Sequence, residues 1–498
     1  MVKTTDSNAK GIPAGALSPL EYRDMPAPIP IRKMIGPGIM LAGMALGSGE
    51  FLIWPYITFQ SQFVFFWACI VGVTMQYFIN MEITRWTLAT GETVVTGFCR
   101  MGRFWAIVFL AMNIVPWIVP AWATSSAEIA TWLFWPDSAG TSAVTTRIAM
   151  GSLIGCGVIL TAGPVVYETV ERLQTVLVTS VMVLVIVLAA WLVSDRPDAL
   201  ILQAKSVVTL GAPDFYPHPD KVATMTLLGA LAFAGAGGTL NLAQSDYIKD
   251  KGYGMGAHIA RMTSVITGKA EPSGDNGFQF DHNATNIKHW RVWWRNASIE
   301  HFFSFFVTCL ICLVLLTLIA YCLMYDSDGT LSEAGQGAGS GLDFVRAEAE
   351  VLQSRVGNVG RILFLVMGIA ILLTTEIGIL DATSRTSANI VKTIFLSDAS
   401  TISTSRFYFF FLWMTILIGC GLLLLLGGGL EQLKFASAMN GGVMFIYSIT
   451  LILLNRRYLF GELRMPAWRL AIMWVVVAFF GGFSAWAILQ LMMPATGS

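Results

Sequence analysis

Charge is what this sequence has least of. Asp, Glu, Lys and Arg make up only 12% of its 498 residues, where a soluble domain carries roughly a quarter. The two signs cancel to a net charge of zero, so the chain lacks the basic field that nucleic-acid binding needs, and no protein partner can be inferred. Histidine is scarce, and no His, Cys and carboxylate group shows metal-ligand spacing. No nucleophile motif appears, so an enzyme is not expected and no resident cofactor is called for. The seven cysteines fall mostly inside apolar runs, which argues against a disulfide framework. Cys309 and Cys312 do form a C-x-x-C pair, but inside an apolar stretch of lipid-spanning length, where packing is the expected role. Residues 1–33 are polar and Pro-rich and show no cleavable leader pattern.

What is present is apolar length. Hydrophobic residues are 55% of the chain, in segments long enough to cross a bilayer. They run over 36–58, 63–84, 104–134, 147–166, 173–194, 222–248, 301–324, 360–384, 407–427, 435–455 and 467–492. The expected class is an all-α integral membrane protein of eleven transmembrane helices, whose partner is the lipid bilayer. Lys and Arg collect in alternate loops, including Arg32, Lys33, Arg85, Arg100, Lys249, Lys251, Arg261, Lys269, Lys288, Arg385, Arg456 and Arg457. The positive-inside rule then puts the N-terminus in the cytoplasm of a plasma-membrane protein. Trp290, Trp293 and Trp294 read as an interfacial belt ahead of the seventh segment.

Two of these segments contain a weak point. The first carries Gly47-Ser48-Gly49 at its centre, followed at once by Glu50. Backbone unwound at bilayer depth needs its polar groups satisfied by protein, water or a solute, and a carboxylate there marks a site hypothesis. The sixth carries Gly235, Gly237 and Gly238, three glycines in four positions, followed by Thr239 and Asn241. This run is not a nucleotide loop, since no strand precedes it and no lysine follows. Segments 1 and 6 open two five-helix sets of opposite direction, and paired interruptions in inverted repeats point to the substrate site of a secondary transporter. The expected organisation is a tail at 1–33, a first repeat at 34–194 and an external loop at 195–221. A second repeat follows at 222–455, with a cytoplasmic loop at 249–299 and an external one at 325–358. The last segment and C-terminus occupy 456–498.

At this point the residues resemble the Nramp family of proton-coupled divalent-metal transporters. The likeness runs from the first segment to the tenth. Gly36-Pro37-Gly38 followed by a break resembles the family's opening G-P-G and its D-P-G-N site. Ala123-Thr124-Ser125-Ser126-Ala127-Glu128-Ile129 is similar to its A-T-D-L-A-E-V stretch, and Glu168 to Arg172 and Arg295 to Glu300 are similar as well. The resemblance implies the leucine-transporter fold, a 5+5 inverted repeat with helices 1 and 6 broken. The departures lie at the chemistry. Gly47 stands where the family has its ligating aspartate and Glu50 where it has asparagine. Gly237-Gly238-Thr239 stands where it has M-P-H, so the sulfur ligand is absent.

The rebuilt site offers carbonyls near Leu46 and Gly47, the Ser48 hydroxyl and the Glu50 carboxylate. Oxygen donors suit a hard ion such as Mg²⁺ or Mn²⁺, with Glu50 as the metal ligand and a coupling proton as a second cargo. The same glycines leave room for a small organic solute. Its ammonium would face Glu50, and its carboxylate would face N–H groups near Thr239 and Asn241. Alternating access for a divalent cation leads. A transporter of an amino acid or amine, a channel, and a transport-inactive receptor stay open. Glu128 and Glu376 are the proton-relay candidates; an Arg partner is the structural alternative for Glu128. Asp381–Arg385 and Glu82–Arg85 read as structural pairs, and Asn440 either lends its amide to the site or loosens a helix.

Overall fold

The computed structural model describes residues 11–136, 142–162, 166–211, 222, 224–259, 276–339, 341–396, 403–425 and 428–492. The loop cations Arg261 and Lys269 lie outside these residues. Among the described residues, ten helices are long and apolar enough to cross a membrane. An eleventh crossing comes in two pieces, which is why it escapes a count of continuous spans. In chain order they are α1 (Pro37–Ser61), α2 (Phe66–Thr90), α3 (Phe104–Phe134) and α4 (Ser142–Ala162). Next come α5 (Val166–Asp195), α6a (Thr224–Ala232) and α6b (Leu240–Lys251). The remainder are α7 (Ala284–Met324), α8 (Asn358–Phe395), α9 (Thr404–Leu422), α10 (Gly429–Tyr458) and α11 (Ala467–Met492).

Burial sorts these helices into a centre and a rim. All but a few side chains of α1 are buried, and it packs on α5, α6b, α7 and α8. Helix α6a lies along α10, and α6b along α2. By contrast α4, α5, α9 and α11 turn large apolar side chains outward, among them Val158, Val183, Leu417 and Trp486. A helix apolar all round belongs in a core or a bilayer, and here both occur. Helix 7 starts far earlier than its apolar run suggests, because the Asn283 side chain accepts from Asn286 N–H at 2.8 Å and caps it. Its first turns hold Trp290 and Trp293, both buried. Trp293 donates to the Pro26 carbonyl at 2.9 Å. These two tryptophans are therefore packing residues, and the belt expected from the sequence is not formed by them.

Residues 11–34 are tied to the same face. Glu21–Tyr22 and Phe278–Gln279 pair as short parallel strands. Arg100 donates to the carbonyls of Ala14 and Ser18 at 2.9 and 2.8 Å while paired with Glu92 at 2.5 Å. The polar tail is thus a strap pinned by buried charge.

On the opposite loop, helix Asp343–Val356 buries Glu348, whose Oε1 has no partner. Burial pushes its carboxyl up to about 8. The raised value favours the protonated form in the folded state. The resulting stability is whole below the ordinary glutamate range and is lost as pH climbs from there to about 8. We predict that melting temperature falls over that window and that Glu348→Gln flattens the fall. A Glu348→Gln profile parallel to wild type would refute the assignment.

Candidate functional site

The site is built where α6 fails to be a helix. Gly235, Gly237 and Gly238 take φ of 152°, 72° and 50°, which side chains with a Cβ rarely adopt. One side chain holds both banks of the gap. Gln76 of α2 donates to the Ala232 carbonyl at 2.8 Å and accepts from Gly237 N–H at 3.0 Å. Asn241 leans on Gln76 at 3.4 Å and on Tyr447 at 3.0 Å, its own Oδ1 left without a partner.

Helix α1 departs from expectation. It does not unwind at Gly47-Ser48-Gly49; it widens into π-helical turns over Leu46–Ile53. The cause is visible at Thr375 of α8. Its hydroxyl accepts from Gly47 N–H at 3.1 Å and donates to the Gly43 carbonyl at 3.0 Å, so a side chain has entered the α-helical ladder. Such π-turns recur at functional sites. Gly49 lies directly on the Phe233 carbonyl, and a Cβ there would overlap it. The two weak points read from the sequence therefore touch. The Ser48 hydroxyl lies outside the described side chains.

Glu50 is fully buried, with neither carboxylate oxygen holding an ordinary hydrogen-bond partner. It faces the thiols of Cys309 and Cys312 on α7, with Cys69 of α2 nearby. The C-x-x-C pair expected only to pack is what this carboxylate meets. Among the described residues, no group of three or more His, Cys, Asp or Glu has a metal-holding arrangement.

Of the remaining candidates, Thr239 and Asn440 border the α6 gap. Thr239 accepts from Trp117 Nε1 at 2.8 Å. Asn440 sits in the middle of α10, donating to the Ala436 carbonyl at 3.0 Å. Its unpartnered Oδ1 abuts Gly238, where a Cβ would overlap it. Among the described residues, no arginine pairs with Glu128. Its carboxylate accepts from Gly429 N–H at 2.7 Å, at the first residue of α10, where the helix dipole favours negative charge. Glu376 accepts from the backbone N–H of Ala123 and keeps Oε2 free of partners.

That Ala123 N–H is available because α3 is broken too. Pro116 and Pro120 lack donors, the chain passes through one 3₁₀ turn at Val115–Trp117, and a new helix starts at Ala121. The break turns Trp117 onto Phe233, stacked at 5.6 Å, with Trp122 at 6.1 Å from the same ring. Three rings thus flank the gap, with the Trp122 Nε1 unpartnered. The sequence analysis missed this group and Gln76. The signals were two prolines inside one apolar segment and an amide, Gln76, inside another.

Below the gap, α6b is clamped to α8. Arg385 donates to Asp381 at 2.8 Å and also bonds Asp250. Tyr247 and Tyr408 donate to Asp381 at 3.2 and 3.0 Å, and Asp246 accepts from Thr386 at 3.0 Å. Lys251 meets Glu171 of α5 at 2.5 Å. The expected Asp381–Arg385 pair is one edge of this network. The Glu82–Arg85 pair is also formed, at 2.7 Å, but buried rather than at a helix end in water.

The fold has counterparts among solved structures. The manganese transporter of Eremococcus coleocola, in complex with an aromatic bis-isothiourea compound, superposes with a TM-score of 0.60 at 10% identity. That match covers 93% of this chain and 88% of that one. Mhp1, a nucleobase-cation-symport-1 family transporter with bromovinylhydantoin bound, gives 0.51 at 12% identity over 96% of both chains. MhsT in complex with L-phenylalanine gives 0.50 at 14%, covering 91% of this chain and 97% of that one. The fold is that of the leucine-transporter-like secondary transporters. The chain matches no protein-family model and no curated protein. These likenesses establish the leucine-transporter-like fold of an all-α membrane protein, and the counterparts are transporters rather than enzymes.

Proposed function

We propose that the chain is a secondary active transporter working by alternating access, and that its cargo is a small organic solute carrying an apolar ring. The observation that carries this reading is the group around the α6 gap. Trp117, Trp122 and Phe233 supply apolar walls. Trp122 Nε1, Asn440 Oδ1 and Glu376 Oε2 are buried polar atoms without partners. Solute sites combine mostly apolar walls with a few placed polar groups of this kind, and buried polar atoms left unpaired are costly unless something completes them. A hydrogen-bonding group on the solute would meet Asn440 Oδ1, its ring lying against Phe233 and Trp122. All these residues are buried, so entry requires helix movement.

A divalent cation, with or without a coupling proton, is the second reading. It is favoured by Glu50, whose two oxygens lack ordinary partners in the π-turn of α1. The same fold serves a manganese transporter and a phenylalanine-bound protein, so the fold does not choose between them. In the cytoplasm-first orientation read from the loop cations, the Arg385 clamp closes the inner end.

Uptake into proteoliposomes tests both. One panel holds aromatic amines, amino acids and nucleobase-like compounds; the other holds Mg²⁺ and Mn²⁺, each with and without an inward proton gradient. We expect concentrative uptake of a ring-bearing solute, with Trp122→Ala raising its KM about tenfold or more, the weight of one aromatic contact and its packing. Saturable divalent-ion uptake abolished by Glu50→Ala, with no organic cargo, would overturn the organic reading in favour of the cation.

A further inference from the structure

A second buried charge cluster lies away from the α6 gap, between α2, α7, α10 and α11. Its anion is Glu82, fully buried. Two arginines converge on that single carboxylate. Arg85 bonds it through Nε at 2.7 Å and Nη2 at 3.2 Å, and Arg469 through Nε at 2.5 Å. Asn455 adds its amide at 3.3 Å. Two cations on one anion leave the cluster one positive charge in excess. Arg85 spends its last nitrogen on the Leu463 carbonyl at 3.4 Å. Arg469 has no such outlet: it is only 6% exposed and its Nη2 is buried without an acceptor.

Excess buried charge without an acceptor is expensive, so a partner outside the described protein is called for. Three features say what kind. Arg469 is the third residue of α11, so the first-turn N–H groups of a long helix, which attract anions, lie beside it. The guanidinium is fenced by the rings of Phe78, Trp468 and Trp294 at 5.2, 5.2 and 5.4 Å. Trp468 is 58% exposed, edge-on to Phe78 at 6.0 Å. An indole at a helix end with its ring outward belongs at the headgroup level of a bilayer. Of the three rings about Arg469, Trp468 is the exposed one.

We propose that the start of α11 binds the phosphate group of an anionic phospholipid, with Arg469 as its principal donor and Trp468 as the covering ring. The headgroup supplies the acceptor that Glu82 alone cannot, and its acyl chains lie along the apolar outer faces of α7 and α11. The bound lipid thereby fixes α11 to α2 through Glu82. Basic pockets between spanning helices hold anionic headgroups in this way.

The test uses the full chain in nanodiscs of phosphatidylcholine, with and without phosphatidylglycerol, and a third arm of phosphatidylcholine plus inorganic phosphate. Melting temperature and lipid retained in native mass spectrometry are the readouts. We expect phosphatidylglycerol to raise the melting temperature and to remain bound where phosphatidylcholine is stripped. Arg469→Gln should weaken that retention about fivefold, the weight of one arginine beside an anionic headgroup. Trp468→Ala leaves every Glu82 bond in place and should also weaken retention. Should Arg469→Gln fail to fold, Trp468→Ala decides alone. Equal effects of the two lipids, or wild-type retention in Trp468→Ala, would overturn the proposal. A phosphate arm that matches phosphatidylglycerol would overturn the lipid in favour of a soluble anion.

Discussion

Arg385→Ala lowers the free energy of unfolding by about 3–5 kcal/mol, the scale for breaking a buried ion pair from one side. The guanidinium is fully buried and bonds Asp381 and Asp250 together. Truncation takes the cation away from two buried carboxylates, and the penalty is their desolvation rather than the lost attraction. Tyr247 and Tyr408 still donate to Asp381, which sets the upper bound. Replacing the pair together, as Asp381→Asn with Arg385→Gln, removes charge from both sides and should recover part of the loss. Denaturant unfolding in detergent with all variants side by side is the measurement. An Arg385→Ala value within about 1 kcal/mol of wild type would mean the cluster is hydrated, as surface pairs are.

That network shows where sequence reading stops. Asp381 and Arg385 lie one turn apart, so their pairing is legible from spacing. Asp250, Tyr247 and Tyr408 come from other helices, and nothing local announces their arrival. The bundle itself was readable, because the length and placement of apolar runs directly express bilayer thickness. The α6 gap was readable for an equally local reason: three glycines in four positions weaken any helix. The α1 break was misjudged since its outcome depends on Thr375, a residue more than three hundred positions away that diverts one N–H. Glu128 illustrates the same limit. A lone carboxylate in an apolar run invites an arginine as its structural partner, yet here it accepts from the backbone at the start of α10. The aromatic group was missed because tryptophans in a membrane segment are ordinary, and only the Pro116–Pro120 break gives them a direction.

Under the proposed function, Gly49→Ala is expected to abolish uptake while leaving a folded protein. The glycine lies against the Phe233 carbonyl so closely that a Cβ would overlap backbone, not a flexible side-chain end. One methyl group therefore forces α1 away from the α6 gap, at an overpacking cost of about 1–3 kcal/mol. That displacement moves the π-turn carrying Glu50 relative to Phe233, the ring that Trp117 and Trp122 meet. Both cargo readings need that contact, so the loss should appear whichever solute is carried. Gly238→Ala tests the other side of the gap. Its φ of 50° already resists a side chain, and the new methyl would strike Asn440. Gly421→Ala and Gly442→Ala are the controls, since nothing lies within 4 Å of a Cβ at either position. Uptake into proteoliposomes, normalised to monodisperse protein by size-exclusion chromatography, separates the cases. Wild-type flux in Gly49→Ala would show that close approach of α1 and α6 is packing alone, and the site would have to be sought elsewhere in the bundle.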